Sequence, residues 1–206
     1  DPRVIAPALA LAIRAEADIR LRATAIRALG QAGDAQAVRP LLAVVADRAT
    51  PRNLVLEAVA ALGTIGSANA FDAMLDLFAS TSPPVRAAAM QAAARMDAEG
   101  FLLALSSAER DRDWSVRAGL AGVLATLPAD RARAAVEDLA ADPDTRVQAA
   151  ALRALVRIGA PDADRRLLEA LAAPDFALRA AAATLVGERR PAEGVARLAA
   201  AYARGD

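Results

Sequence analysis

The side chains of this sequence that could do chemistry are almost all guanidinium groups and carboxylates. Its 25 basic residues are all Arg, balanced by 25 Asp and Glu, and His, Cys and Lys are absent. Zinc therefore has no imidazole or thiolate to bind, and a serine nucleophile has neither His nor Lys as its base. Carboxylates alone could hold a hard cation, and the spacings Asp142-Pro143-Asp144 and Asp162-x-Asp164 come nearest to such a site. Calcium asks for about six to eight oxygen ligands. Helix capping accounts for these Asp residues with fewer assumptions, so no catalytic residue, metal or cofactor is assigned.

Arginine could instead bind phosphate. The pairs Arg165-Arg166 and Arg189-Arg190 are short and lie among Asp162, Asp164, Glu169, Glu188 and Glu193, the mark of a solvated face. A formal net charge of zero also argues against nucleic acid as the partner. Trp114, the single Trp, is a candidate anchor for a partner, since Trp is enriched at binding hot spots. The competing reading is packing between helices, where Trp buries a large apolar area. No uncharged run reaches the roughly 18 residues of a membrane span.

These residues must be positioned by helices. Alanine supplies 60 of the 206 residues, whereas Val, Ile and Thr together supply 27, a composition that favours helix over sheet. One pattern starts at Leu21 and returns at Leu54, Val85, Val116, Val147 and Leu178, at spacings of 33, 31, 31, 31 and 31 residues. Four residues after each start stand Ala25, Ala58, Ala89, Leu120, Ala151 and Ala182. Eight after stand Leu29, Leu62, Ala93, Leu124, Leu155 and Val186. Positions 0, +4, +7 and +8 share a face, so each unit opens with an amphipathic helix. Small residues at +4 and +7 let neighbouring helices approach closely. Asp18, Ser82, Asp113, Asp144 and Asp175 each stand three residues before a start, as N-caps.

A second helix follows in each unit, anchored twenty residues after the start by Leu41, Met74, Leu105, Val136, Leu167 and Leu198. Breakers such as Gly30-Gln31-Ala32-Gly33 and Gly159-Ala160-Pro161 separate the two. Short helix pairs cannot bury their apolar faces alone and must stack. The expected fold is all-α: a right-handed α-solenoid, or superhelix, of about six two-helix repeats of 31 residues. The expected division is one domain over 1–206, with a partial repeat at 1–17 and repeats at 18–47, 48–80, 81–111, 112–142, 143–173 and 174–206. Neither end carries the polar cap of a finished solenoid, so a longer parent protein is expected.

The unit Asp-x-x-(Val/Leu)-Arg-x-x-Ala-x-x-Ala-Leu-Gly followed by a second helix resembles a HEAT repeat. Its 31-residue form is similar to the short HEAT-like units of bacterial scaffolds and bilin-lyase-type proteins. The resemblance implies pairing of Asp18 with Arg22, Ser82 with Arg86, Asp113 with Arg117 and Asp175 with Arg179; Val55 and Gln148 depart from it. It also implies that the second helices line a concave groove. From its exposed positions the expected partner-binding residues are Arg39, Asp72, Asp76, Leu103, Asp138, Arg165 and Glu169. Across all its positions, three Arg against six Asp or Glu make that groove mildly acidic.

The functional expectation is a non-enzymatic scaffold that holds a protein or peptide in this groove, as a monomer or as part of a larger chain. The alternative is the accessory repeat region of a larger enzyme. The stretch Ala173-Pro174-Asp175-Phe176-Ala177-Leu178-Arg179 resembles repeat regions that accompany a cyclophilin-type peptidyl-prolyl isomerase, and a bilin lyase-like role belongs to the same class. A DNA-binding solenoid similar to alkylated-base glycosylases is disfavoured by the acidic groove and the single Trp. The Ala and Arg bias predicts a GC-rich bacterial genome; a chain without Cys does not reveal its compartment.

Overall fold

The computed structural model describes residues 2–14 and 16–204, and among these every regular element is helical. The chain forms two compact units, Asp1–Glu109 and Arg110–Asp206. The first holds α1 (Pro2–Ile13), α2 (Ile19–Ala32), α3 (Val38–Ala46), α4 (Arg52–Ile65), α5 (Phe71–Asp76), α6 (Pro83–Met96) and α7 (Ala98–Ser107). The second holds α8 (Trp114–Leu124), α9 (Ala129–Ala140), α10 (Thr145–Arg157), α11 (Ala163–Ala170), α12 (Phe176–Arg189) and α13 (Gly194–Arg204).

Local chemistry starts and stops these helices where the sequence pattern places them. Asp18 accepts hydrogen bonds from the backbone N–H groups of Arg20 and Leu21 and so satisfies orphan donors of α2. Asp113, Asp144 and Asp175 do the same for α8, α10 and α12. Ser82 makes no such bond, and α6 relies on Pro83-Pro84 at its first turn. At the far ends, Gly33 and Gly66 take up φ of 67° and 70°, the left-handed conformation that closes α2 and α4.

In the first unit α2 packs beside α4 and α4 beside α6, while α1, α3 and α5 pack against α2, α4 and α6 in turn. In the second, α8 lies beside α10 and α10 beside α12, with α9 against α10 and α11 against α12. Each unit is therefore a stack of helix pairs, an all-α repeat solenoid. No helix among the described residues is long and apolar enough to cross a membrane.

The cores follow the repeating columns. Leu29, Leu62, Ala93, Leu124, Leu155 and Val186 are all buried, as are Leu41, Met74, Val136 and Leu167 of the second helices. Several expected core positions differ, among them Leu120 and Leu198, which are only half-buried. Leu21 is exposed, because α2 packs on α1 and α4 and has no first-type helix on its other flank among the described residues. Leu105 is only half-buried, and Phe101, one turn earlier on the same face of α7, is fully buried instead. The cause is the connection: Asp97 alone separates α6 from α7, so α7 starts early and Phe101 reaches the deep position, edge-on to Phe78 at 6.3 Å.

The first helices touch nearly backbone to backbone. A Cβ placed on Gly30 would lie 2.8 Å from Ala61 Cα, and one on Gly63 would lie 2.9 Å from Ala92 Cα. Ala61 and Ala92 belong to the +7 column, so glycine on one helix meets alanine on the next.

Two stability predictions follow from this packing, both measurable by urea unfolding. Gly63→Ala should destabilise by about 1–3 kcal/mol, because the added methyl meets backbone and not a movable side chain. Gly122→Ala, a helical position with nothing within 4 Å of a new Cβ, should stabilise by about 0.5–1 kcal/mol. Separately, Phe101→Ala should cost about 3–5 kcal/mol and Leu105→Ala clearly less.

Candidate functional site

At five of the six repeat starts the second residue is an inward-reaching donor; at the other it is Val55. Arg117 Nη1 donates to Asp111 O at 2.8 Å, Arg86 Nη1 to Ser80 O at 2.9 Å, and Arg179 Nη1 to Ala173 O at 2.8 Å. Gln148, which breaks the arginine pattern, still donates from Nε2 to Asp142 O at 2.7 Å. In all four the acceptor is the carbonyl six residues upstream, in the loop that enters the helix. Arg22 instead donates from Nε to Ala12 O in the last turn of α1, at 3.2 Å. The guanidinium groups thus serve loop and helix-end carbonyls, and the N-cap carboxylates of Asp18 and Asp175 serve backbone N–H groups. That division of labour differs from the direct Asp–Arg pairing the HEAT resemblance implies.

Asp142 is the one fully buried carboxylate among the described residues. Arg117 grips it bidentately, Nε to Oδ2 at 2.7 Å and Nη2 to Oδ1 at 3.0 Å, and the N–H of Asp144 adds a bond to Oδ1 at 2.9 Å. Arg110 stands 3.6 Å from Oδ2 and pairs with Asp138 at 2.9 Å. The bonds from Arg117 hold the Asp142 carboxyl below its ordinary value of 3.8, against the opposing effect of burial, and raise Arg117 in turn. Next to this cluster, Arg146 holds both oxygens of Asp144, whose pKa falls to about 2. The same guanidinium lies over Trp114, 3.6 Å from the ring centroid. Trp114 is 38% exposed, with one face already covered by this cation–π contact.

The expected groove residues fall into two sets. In the first unit Arg39, Asp72, Asp76 and Leu103 are all exposed, Leu103 at 73%. Asp72 and Asp76 share one face of α5, and neither makes an ion pair among the described residues. In the second unit Asp138, Arg165 and Glu169 are exposed but engaged. Asp138 pairs with Arg110, and Arg165 bridges Glu169 at 2.7 Å and Asp162 at 3.1 Å. Asp162 also accepts from Arg166 Nε at 2.7 Å, which lowers its pKa first and foremost. Surface pairs of this kind add little stability, but they cancel charge that a partner would otherwise feel. The acidic character of the exposed stripe is therefore concentrated on α5. No group of three or more acidic side chains is placed to hold a metal among the described residues.

A family model described as HEAT repeats matches residues 6–94 and 101–187. The chain belongs to the HEAT-repeat family. Among solved structures, this HEAT chain is similar to the complex of CpcE and CpcF of phycocyanin lyase from Nostoc sp. PCC7120, at 25% identity and a TM-score of 0.59. The alignment covers 87% of this chain and 74% of that one. An engineered protein shares the fold at 20% identity and a TM-score of 0.50, over 86% of this chain and 93% of that one. No curated protein matches the sequence.

Sequence reasoning took Asp142 for a capping residue of this HEAT array and missed its buried role. Two signals were present: Asp111 and Asp142 are 31 residues apart, one repeat, and Arg117 and Asp142 are 25 apart.

Asp142→Asn should destabilise the second unit by about 3–5 kcal/mol, since it leaves the Arg117 guanidinium buried without its counter-charge. The folded pKa of Asp142 lies below its unfolded value, so its stabilisation is complete above about pH 4 and is lost as pH falls through the lowered pKa. Urea midpoints measured from pH 7 to pH 2 should fall less steeply for Asp142→Asn than for the unaltered chain.

Proposed function

We propose that this HEAT chain is a non-enzymatic interaction scaffold that holds a protein or peptide segment against the exposed faces of its second helices. The observation that carries the reading is the first-unit face: Asp72 and Asp76, both exposed and free of ion pairs among the described residues, on the same layer type as exposed Leu103. Free carboxylates beside an apolar side chain suit a segment that mixes basic and aliphatic residues. Charge would steer and orient such a segment, and apolar contacts would hold it. The likeness to a lyase structure that is itself a complex of two proteins supports a protein partner. Arg39, Asp138, Arg165, Glu169 and Trp114 remain part of the proposed partner surface, with the second-unit residues secondary because their charges are already matched.

A second reading is favoured by the same likeness: the chain is a lyase-like component that acts together with further protein. In that case the solenoid positions a substrate protein while chemistry is completed elsewhere.

Capture from the host lysate, followed by mass spectrometry, tests both. Asp72→Arg/Asp76→Arg should lose at least about tenfold of the captured partner, the scale expected for a few steering and anchoring charges, with an unchanged thermal midpoint. Undiminished capture by that double variant would sink the first-unit face. A phycocyanin subunit among the captured proteins would favour the lyase-like reading.

A further inference from the structure

Like charges four residues apart on one helix are neighbours on its surface, and their repulsion costs stability. Among the described residues only two helices carry such a pair: α5 with Asp72 and Asp76, and α10 with Arg153 and Arg157. Where that spacing within a helix holds opposite charges they are bonded, Arg133 to Glu137 at 2.9 Å and Arg165 to Glu169 at 2.7 Å. The four like-charged residues are all exposed, and none makes an ion pair among the described residues. The two pairs are opposite in sign and equal in spacing.

Both pairs stand on inner helices of their units. α10 lies between α8 and α12, and in the column of Arg153 these neighbours carry only Gly122 and Thr184. A Cβ on Gly122 would meet nothing within 4 Å, so the two guanidinium groups rise from a surface open to approach. Glu188 of α12, in the column of Arg157, is exposed and makes no ion pair among the described residues. α5 stands beside α7, since a Cβ on Gly100 would lie 2.9 Å from Phe71 Cζ. Leu103 of α7, in the column of Asp72, is exposed. Rows of residues four apart are the ridges along which helices pack. A carboxylate ridge laid along a guanidinium ridge forms two charge-assisted contacts at once and relieves both repulsions.

We propose that the α5 face takes a second copy of this chain, whose Arg153 and Arg157 engage Asp72 and Asp76 while Leu103 rests on the small side chains beside α10. The proposal rests on the reading of α5 as a binding face and names its occupant. A different basic protein is the poorer occupant. It would answer Asp72 and Asp76 and leave Arg153 and Arg157 without partners, whereas a second copy answers both pairs. The planar fork of Arg suits carboxylate partners. Exposed pairs of this kind are screened by salt, so the association is strongest in dilute salt.

Sedimentation of the whole chain tests this. Self-association is expected at about 0.02 M salt and should fall away at about 1 M. Asp72→Arg/Asp76→Arg and Arg153→Glu/Arg157→Glu should each weaken it at least about tenfold, with unchanged thermal midpoints. The fourfold variant that combines them exchanges the two faces and keeps the net charge, so it should associate like the unaltered chain. Arg48 and Arg52 are exposed and lie on neither helix, so Arg48→Glu/Arg52→Glu changes the net charge as much as the α10 variant without touching either face, and it should leave association nearly intact. A chain monomeric up to about 1 mM, association indifferent to either face variant or to salt, a fourfold variant that stays monomeric, or equal damage from Arg48→Glu/Arg52→Glu would overturn the proposal. A monomeric chain that still captures a lysate partner through Asp72 and Asp76 would overturn it too and leave the scaffold reading standing.

Discussion

Close approach of the first helices is the constraint on which the remainder of this structure rests. Gly30 against Ala61 and Gly63 against Ala92 leave no room for a further methyl, so α2, α4 and α6 lie nearly in backbone contact. That spacing explains a chain with 60 Ala and few large side chains. Cores this thin bury modest apolar area per residue, and stability accumulates by repetition, each helix pair covering the next. The large buried residues, Phe101, Met74 and the Leu columns among them, sit at the seams between layers.

Helices packed this closely must be joined by tight loops whose carbonyls turn inward, and a buried carbonyl needs a donor. Inward-reaching Arg and Gln side chains meet that need in the loops entering α6, α8, α10 and α12, at a constant six-residue register. Gln148 shows what suffices to serve that carbonyl: a long side chain ending in an N–H, with charge optional. Charge becomes essential only where a carboxylate is also enclosed, as at Asp142. The planar guanidinium then serves a carbonyl with one nitrogen and a carboxylate with the other two, which an amide or an ammonium group could not do in one plane.

The same logic separates structural from functional charge. In the second unit nearly every charge the sequence offers to the exposed face is matched within a few ångströms: Asp138 by Arg110, Arg165 by Glu169, Asp144 by Arg146 over Trp114. Groups spent in this way have little left for a partner. The exposed Asp72 and Asp76 carboxylates of α5 make no ion pair among the described residues and are informative by contrast.

The sequence by itself determined the helix pairs, their caps and their order, because 3.6-residue periodicity, N-cap Asp residues and a 31-residue recurrence are local or strictly repeating signals. It also marked the buried columns at Leu29, Leu62 and Leu155. Tertiary structure decided which neighbour each side chain met. Leu21 is exposed because no first-type helix lies on the flank of α2 away from α4 among the described residues, and Phe101 displaces Leu105 because a one-residue connection advances α7. Asp142 looked like a cap and proved to be a buried counter-ion, since the Arg117 that claims it lies 25 residues away and one helix pair earlier. Column position tells which face a residue lies on; only the packed chain decides whether its charge is already answered.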